Sequence, residues 1–371
     1  MITANKRSFI RFLSAGMMTA WCFGAAAAET EIGVIPENGA AAVAEDAKDV
    51  CFESVDPVVS LSYGSRYTVE SETRSDFDEE SNAEVEAALG PIDDFVADLA
   101  KYSNRAISRK NERATLAADC VLDRLAPWAA ADALSDLQTV TAEISVPGRL
   151  AGMAFAYANA ASVASENPDR KAGIEAWLRA RAEQTMVFFD AEAPERAASN
   201  NLRAWAALAV ARIGLTLSDD KMVDWADASV RLVACAANDD GSLPREMERG
   251  RLALHYHIHA LGPLVITAAL LQTKERDLFE ECDRAIPRAV GFMIAALKDP
   301  DLAATHAGVA QSFSEPKPEV LEGFEIAWAV PYLQFVEDAD LAELASQFDL
   351  LANSKMGGDQ TLLWAPEPPA P

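Results

Sequence analysis

The chain has 371 residues, half of them hydrophobic, and a formal net charge of −26 at pH 7. A chain of this length and composition can bury a full-sized core, which excludes a disordered or collagen-like protein. The excess of acidic residues argues against nonspecific binding to nucleic acid or to an anionic membrane surface, so a polyanionic partner would need a locally basic site.

Residues 1–28 have the pattern of a secretory signal peptide. Three basic residues lie within the first eleven, an apolar stretch follows over 12–24, and the alanines at 26–28 suit a cleavage site. An uncleaved anchor is the alternative, but the apolar stretch is short for a membrane span. Cleavage would remove three basic and no acidic residues, changing the formal charge to −29. The remainder, 29–371, is predicted to form a single domain without a membrane segment.

Four cysteines remain after cleavage, because Cys22 lies in the signal segment. An even number in an exported chain indicates disulfide bonds, with reduced thiols as the alternative. The most local of the three connectivities pairs Cys51 with Cys120 and Cys235 with Cys282, but spacing alone leaves the pairing open. No C-x-x-C pair occurs, so neither a thioredoxin-like site nor a zinc ribbon is predicted.

Before the helical part of the chain, 58–69 alternates only weakly between apolar and polar residues, and an acidic run follows over 70–86. We interpret both as an exposed loop. Arg66 and Tyr67 lie on it, and a cation beside an aromatic ring suits a sugar acid through ion pairing and ring stacking.

From about residue 78 onward, alanine-rich amphipathic segments of helical period follow one another. Breaks are predicted at Gly90–Pro91, Pro147–Gly148 and further Gly, Pro, Asn or Asp clusters. About ten helices result, and an all-α protein is the predicted class. Helix hairpins can close into a toroid or stack into a solenoid, and periodicity does not distinguish the two. The proline-rich tail from Trp364 is predicted to be extended.

Two polar stretches interrupt segments that otherwise have the composition of core. At the first, Asn200 and Asn201 begin an apolar helix that carries Trp205, and they either cap the helix or serve a site. At the second, Arg249, Tyr256 and His259 would share one stripe if 243–261 were a single helix. A neighbouring cation would lower the pKa of Tyr256 and suit it to proton transfer; a buried tyrosine under a solvated face is the alternative.

Three of the four histidines, His255, His257 and His259, lie in this second stretch. His255 and His259 are four residues apart and could bind a metal from one helix face. No carboxylate or cysteine completes an evident motif, so hydrogen-bonded histidines are favoured, and neither a metal nor another cofactor is predicted. The sequence also lacks a G-x-S-x-G motif, a P-loop and a dinucleotide fingerprint.

Taken together, these segments resemble the alginate lyase family, the periplasmic poly(β-D-mannuronate) lyases. Matching pieces run in the family's order across nearly the whole mature chain. They are SRY at 65–67, NNLRAW at 200–205, DDGSLPREMERGRLALHYHIHALGPL at 239–264, AWAVPY at 327–332 and GGDQTLLW at 357–364. The long central block is specific, and the other pieces are individually weak.

The resemblance implies an incomplete α/α toroid whose cleft holds an anionic uronic acid polymer that is cut by β-elimination. Asn201 and Arg249 would neutralise the substrate carboxylate, and Tyr256 would take the C5 proton and return a proton to the leaving oxygen. Arg66 and Tyr67 would lie on a lid loop, with Arg66 in place of the family's usual lysine. The further substrate contacts predicted are Asn200, Trp205, His257 and His259.

One position departs from the family pattern: Leu202 stands where the family has a histidine after the second asparagine. His255 or His259 could replace the imidazole, or Tyr256 could act alone. In mannuronate the C5 proton and the C4 oxygen lie on the same face, so one tyrosine can serve both transfers. The sequence therefore predicts a periplasmic lyase for mannuronate-rich alginate. The alternatives are a lyase for another polyuronate such as glucuronan, an inactive polysaccharide-binding protein associated with export-complex proteins, and, last, a helical-repeat scaffold.

Overall fold

Helices dominate residues 51–314 and 318–365, the part of the chain that the computed structural model describes. The α-helices are α1 (Glu79–Ser108), α2 (Glu112–Ala130), α3 (Val140–Ala161), α4 (Pro168–Val187), α5 (Asn201–Leu217), α6 (Asp220–Ala234), α7 (Pro244–Met247), α8 (Ala253–Leu271), α9 (Glu281–Lys298), α10 (Asp301–Ala307), α11 (Ala329–Phe335), α12 (Ala339–Ala345) and α13 (Gln360–Leu363). The predicted signal peptide and nearly all of the tail lie outside the described residues.

The long helices pack in two rows. In the inner row, α1, α3, α5 and α8 each lie against the next, while α2, α4, α6 and α9 cover them from outside. A helix enclosed on both sides should be apolar around its whole circumference. The stretch Gly250–Lys274, which contains α8, is long and apolar enough to cross a membrane, yet 83% of its most apolar window is buried inside the protein. It is thus accounted for as a core helix.

Two predicted helix breaks are wrong. Pro91 lies inside α1 and Pro147 lies inside α3, and three further helices also contain an internal proline. A proline removes one helical hydrogen bond and costs about 3 kcal/mol in an isolated helix. Both flanking segments are buried against neighbouring helices, and that packing outweighs the local cost.

The weakly alternating segment before the helices is partly a strand rather than all loop. β1 (Ser60–Leu61) pairs in parallel with β2 (Asp136–Leu137), and a second small ribbon pairs β3 (Ala352–Asn353) with β4 (Gly358–Asp359). The disulfides are Cys51–Cys120 and Cys235–Cys282, the most local of the three connectivities. The first ties the segment before β1 to α2.

The acidic run over 70–86 is also more ordered than predicted. Its second half begins α1, whose first turn is capped by the Asp78 carboxylate accepting from the Ser81 N–H. Its first half belongs to a hairpin-like loop, 67–77, closed by an antiparallel bridge between Tyr67 and Phe77. The Ser71 hydroxyl, which accepts from two backbone N–H groups and donates to Asp76, fixes the turn.

Candidate active site

A cleft of about 940 Å³ opens between the 67–77 loop and the starts of α5 and α8. Most of the side chains predicted to form a site line it. They are Arg66, Tyr67, Asn200, Asn201, Trp205, Arg249, Tyr256 and His259. These residues are up to 193 positions apart in the sequence, and the packing of α3, α5 and α8 brings them together.

The two asparagines at the start of α5 have different roles. Asn200 is the N-cap, and its side-chain oxygen accepts from the Leu202 N–H at 2.9 Å. Asn201 is held from behind by Glu246, which accepts from its backbone N–H at 2.7 Å and from its side-chain Nδ2 at 2.8 Å. Asn200 therefore caps the helix, as one alternative predicted, and Asn201 lines the cleft. Burial raises the pKa of Glu246 to about 7, although the bonds from Asn201 oppose that rise.

Arg249 and Tyr256 meet although they do not share a helix. α7 ends at Met247 and α8 begins at Ala253, so the single helix considered over 243–261 does not form. The turn between these helices nevertheless places the Arg249 guanidinium over the Tyr256 ring, 3.5 Å from its centroid. The Tyr256 hydroxyl is hydrogen-bonded to that of Tyr67, which also accepts from Arg249 at 3.2 Å.

The predicted lowering of the Tyr256 pKa is also wrong in its net direction. Burial raises the pKa most, and the Tyr67 hydroxyl raises it further, whereas the charge and hydrogen bond of Arg249 lower it. Desolvation outweighs the effect of Arg249 because the Tyr256 phenol lies deep in the cleft, under the 67–77 loop. The proton therefore stays on Tyr256 at neutral pH in this closed arrangement, and Arg249 reduces the cost of removing it.

Arg249 also fixes the 67–77 loop. Its guanidinium donates to the carbonyl of Thr73 at 3.1 Å and to that of Arg74 at 2.8 Å. Gly250 permits this approach, because its φ of +54° suits glycine and a Cβ there would lie 3.0 Å from the Thr73 hydroxyl. The loop predicted to act as a lid is thus held over the cleft by a site residue.

The three histidines near α8 have three different environments. His257 is fully buried on the core side of α8, bonded to Leu243 and Ala289, so its predicted substrate contact is wrong. His255 lines the cleft, with Nδ1 2.5 Å from the Glu319 carboxylate. His259 is on the cleft floor, where its Nε2 accepts from the indole N–H of Trp205 at 2.9 Å.

A carboxylate partner for these histidines, which the sequence did not reveal, does exist. Ligand atoms of His255, Glu319 and Glu325 lie within 4.8 Å of one another and, among the described residues, form the one cluster able to hold a metal ion. His259 points elsewhere, to Trp205, so the considered chelate of His255 with His259 is not formed.

The cleft is basic although the protein is acidic. Of the described residues that line it, six are arginine or lysine and one, Glu72, is acidic. Arg149 and Lys355 share the carboxylate of Asp93, at 2.5 and 3.3 Å, and burial lowers the pKa of Lys355.

Comparison with known proteins agrees with this geometry. The family model for alginate lyase matches residues 139–303, which include α3, α5 and most of the site. A polysaccharide lyase of Stenotrophomonas maltophilia is 32% identical over 280 residues, covering 74% of this chain and 80% of that one. An alginate lyase of Pseudomonas syringae pv. syringae is 29% identical, covering 67% and 66% of the two chains.

The chain belongs to the alginate lyase family.

Its fold is the α/α toroid of that family. A histidine-to-alanine variant of alginate lyase A1-III complexed with tetrasaccharide superposes with a TM-score of 0.69 at 23% identity, covering 85% of this chain and 86% of that one. The crystal structure of alginate lyase A1-III from Sphingomonas species A1 gives 0.66 at the same identity. Family and fold support polysaccharide lyase activity for this alginate lyase family member.

Within this family site, Leu202 forms part of an apolar wall. It lines the cleft beside Val140 and Ile144 and packs against the buried pair Phe188 and Phe189. The position that carries a histidine in the family pattern therefore offers substrate no polar group here.

Three site residues were missed by sequence analysis: Glu246, Arg149 and Lys355. Glu246 lies in the central block that resembles the family. It stands among charged residues shortly after a proline, a pattern that predicts a solvent-exposed side chain. Arg149 sits in an apolar helix, where an isolated cation could have signalled a site. Lys355 comes from the C-terminal segment, and only the toroid closure brings it to the cleft.

Proposed function

We propose that the protein cleaves mannuronate-rich alginate by β-elimination, with Tyr256 as both base and acid. The observation that carries the proposal is the convergence of a phenol, Tyr256, a guanidinium, Arg249, and an amide, Asn201, on one basic cleft. Belonging to the alginate lyase family supports the same reaction class.

The residues match what the elimination requires. The C5–H bond breaks, its electron pair forms a C4=C5 double bond, and the C4–O glycosidic bond breaks with a proton going to the leaving oxygen. The uronate carboxylate must first be neutralised, because a full negative charge next to C5 opposes loss of that proton. Arg249 and Asn201 would bind this carboxylate. The phenolate form of Tyr256, whose formation the charge of Arg249 favours, would accept the proton from C5 and then pass that proton to the leaving oxygen.

The basic lining supports a polyanionic substrate. Arg66, Arg149 and Lys355 would pair with carboxylates of neighbouring sugars, and Tyr67 and Trp205 would contact sugar rings. Asn200 would act mainly by holding the start of α5. Cleft walls that carry one sign of charge attract an oppositely charged substrate even when the whole protein has the same sign as that substrate.

Mannuronate is favoured as the substrate because one tyrosine can act on it alone. Its C5 proton and C4 oxygen are on the same side of the ring, whereas in guluronate they lie on opposite sides and call for two groups. Leu202, Val140 and Ile144, the described residues of the apolar wall, supply no second proton-transfer group on that side of the cleft.

The experiment is a comparison of polymannuronate, polyguluronate and glucuronan as substrates, following the ultraviolet absorbance of the unsaturated product. We expect product from polymannuronate with the wild type, none with Tyr256→Phe, and full activity with Tyr332→Phe, a matched change at a buried tyrosine outside the cleft. Product from glucuronan alone would point to the alternative substrate. Binding of polymer without any product would overturn the lyase proposal in favour of a binding protein.

We also propose export to the periplasm, where export-complex proteins would be available as partners. The signal-like segment at 1–28 and the two disulfides support it. N-terminal sequencing of the protein recovered from a periplasmic fraction tests it, with cleavage after residue 28 as the expected result and an intact, cytosolic chain as the contrary one.

A further inference from the structure

Leu202 stands where the family pattern has a histidine, and His259 is the side chain best placed to supply an imidazole instead. Both residues line the same cleft, Leu202 at the start of α5 and His259 near the start of α8. Trp205 links these helices here, because it is the fifth residue of α5 and its indole N–H donates to the imidazole of His259. The Leu202 side chain has no polar atom, whereas one ring nitrogen of His259 is not bonded to any described residue.

The bond to Trp205 determines which ring nitrogen of His259 carries the proton. An indole N–H can only donate, so the His259 Nε2 at 2.9 Å must accept, and in a neutral ring the proton is then on Nδ1. The Nδ1 atom has no hydrogen-bond partner among the described residues, and the ring is exposed to the cleft. An N–H donor is therefore available to a ligand.

The surroundings keep this ring neutral. Desolvation at the cleft floor lowers the pKa of His259 most, and the positive charges of His255, Lys355 and Arg249 lower it further. The ring of Tyr256 lies edge-to-face against it, with centroids 6.3 Å apart. A neutral donor next to the proton-transfer tyrosine and the carboxylate-binding arginine is well placed to bind an anion.

We propose that His259, as a neutral imidazole protonated on Nδ1, donates a hydrogen bond to the uronate carboxylate and so replaces the histidine that Leu202 has displaced. This role rests on the proposed lyase function and assigns His259 to substrate binding rather than to proton transfer. Trp205 is the positioning residue that selects the tautomer.

Variants of His259 distinguish the effect of its N–H donor from the effect of the imidazole ring as a whole. His259→Ala should lower kcat/KM on polymannuronate about 10- to 100-fold, the effect of losing one hydrogen bond to a charged group. His259→Asn, whose side-chain N–H lies near the position of Nδ1, should keep most of the activity, and His306→Asn, outside the cleft, should keep all of it. Equal losses in His259→Ala and His259→Asn would overturn the proposal.

The substitution Leu202→His, which introduces the histidine of the family pattern, provides an independent test. Leu202→His should restore most of the activity lost in His259→Ala, yet change the wild type little, because the two imidazoles would serve one carboxylate. The same gain in both backgrounds would mean that the two positions act independently and would contradict the replacement.

Nitrogen-15 NMR of histidine-labelled protein tests the tautomer without any turnover. The His259 signal should be that of a neutral ring protonated on Nδ1, and Trp205→Phe should release it to a mixture. His257 is an internal reference, since its bonds to Leu243 N–H and the Ala289 carbonyl require a proton on Nε2. A His259 proton on Nε2, or a charged ring at neutral pH, would overturn the proposal.

Different results would refute the proposed lyase activity and the proposed role of His259. A wild type that produces nothing from any polymer would refute the proposed lyase, and calorimetric binding of a mannuronate trisaccharide to wild type, His259→Ala and His259→Asn would then decide whether His259 binds the carboxylate. An active wild type that is indifferent to His259→Ala would refute this inference alone.

Discussion

Two histidines on opposite sides of α8 differ in how they use their ring nitrogens. On the core side, His257 is fully buried and uses both ring nitrogens on backbone groups, as acceptor from Leu243 N–H at 3.4 Å and as donor to the Ala289 carbonyl at 2.9 Å. On the cleft side, His259 uses one nitrogen on Trp205, and its other nitrogen has no hydrogen-bond partner in the part of the chain that the structure describes. Desolvation lowers the pKa of both, to about 4 for the buried His257 and to about 3 for His259 at the cleft floor, so both rings are neutral.

The difference teaches that a lowered pKa does not by itself identify a functional histidine. Both rings have a lowered pKa, and what distinguishes them is exposure to the cleft and a hydrogen-bonding group that the described residues leave unused. A fully satisfied polar group holds the fold together, whereas an unsatisfied one facing a cleft is available to a ligand. Changes on the cleft side should therefore affect catalysis, and changes on the core side should affect stability.

The largest effect is expected on the cleft side, at Tyr256. Tyr256→Phe should lower kcat about 10²- to 10⁴-fold, the usual contribution of a general acid–base group. It should change the free energy of unfolding by only about 1 kcal/mol, because one partly buried hydroxyl bond is lost. Steady-state kinetics and urea denaturation of the same preparation measure both. If the loss of stability accounted for the missing activity, Tyr256 would not differ from a core residue in its role.

On the core side, His257→Ala should have the converse effect. It leaves a cavity and two unpaired backbone groups, so we expect the free energy of unfolding to fall by about 2 to 4 kcal/mol. kcat per folded molecule should stay unchanged, measured well below the unfolding temperature. His306→Ala, at a half-exposed ion pair with Asp240, is the control and should cost about 1 kcal/mol or less. A fall in kcat for His257→Ala at full folding would contradict the assignment.

Glu246, which supports the cleft from behind, should affect stability in a pH-dependent way. Its pKa is raised from 4.5 to about 7, so the folded protein binds this proton more tightly than the unfolded chain does. Its contribution to the free energy of unfolding is therefore greatest below pH 4.5, falls as the pH rises to about 7, and is constant above that. Relative to wild type, Glu246→Gln should gain on the order of 1 to 3 kcal/mol across this window.

Urea denaturation of wild type and Glu246→Gln at several pH values measures this difference directly, since other titrating groups are common to both proteins. A difference that is constant with pH would show that Glu246 keeps an ordinary pKa in the fold. Activity of the same variant reports whether holding Asn201 in place matters for turnover.

The smallest effect concerns the bond between Tyr67 and Tyr256. Tyr256 must lose its proton to act as the base, so kcat/KM should rise with pH towards its pKa. Because the Tyr67 hydroxyl raises that pKa, Tyr67→Phe should move this rising limb to lower pH, by less than about one unit. Arg249→Gln should move it the other way, since the charge of Arg249 lowers that pKa. A pH profile of the three proteins tests the sign, and a limb that stays in place in both variants would mean that Tyr256 is not the titrating base.

Much of the site was predictable because its residues lie in short, recognisable pieces of sequence. Arg66, Tyr67, Asn201, Arg249 and Tyr256 were named from such pieces, and the structure brings all of them to one cleft. His257 was misplaced because two residues along a helix turn the side chain by about 200° around the axis, which sends it away from the cleft that His255 and His259 line. Lys355 and Arg149 were missed because nothing local marks a cation that meets substrate only after the toroid closes.

The sequence by itself determined the helical class, the disulfide-forming cysteines and which polar groups would be available, because hydrophobic period, residue type and family motifs are properties of short segments. Tertiary structure alone decided that prolines stay inside helices, that burial outweighs Arg249 in setting the pKa of Tyr256, and that a basic cleft forms in an acidic protein. Those outcomes depend on desolvation and on distances between residues far apart in the chain, and both quantities are fixed only when the helices pack.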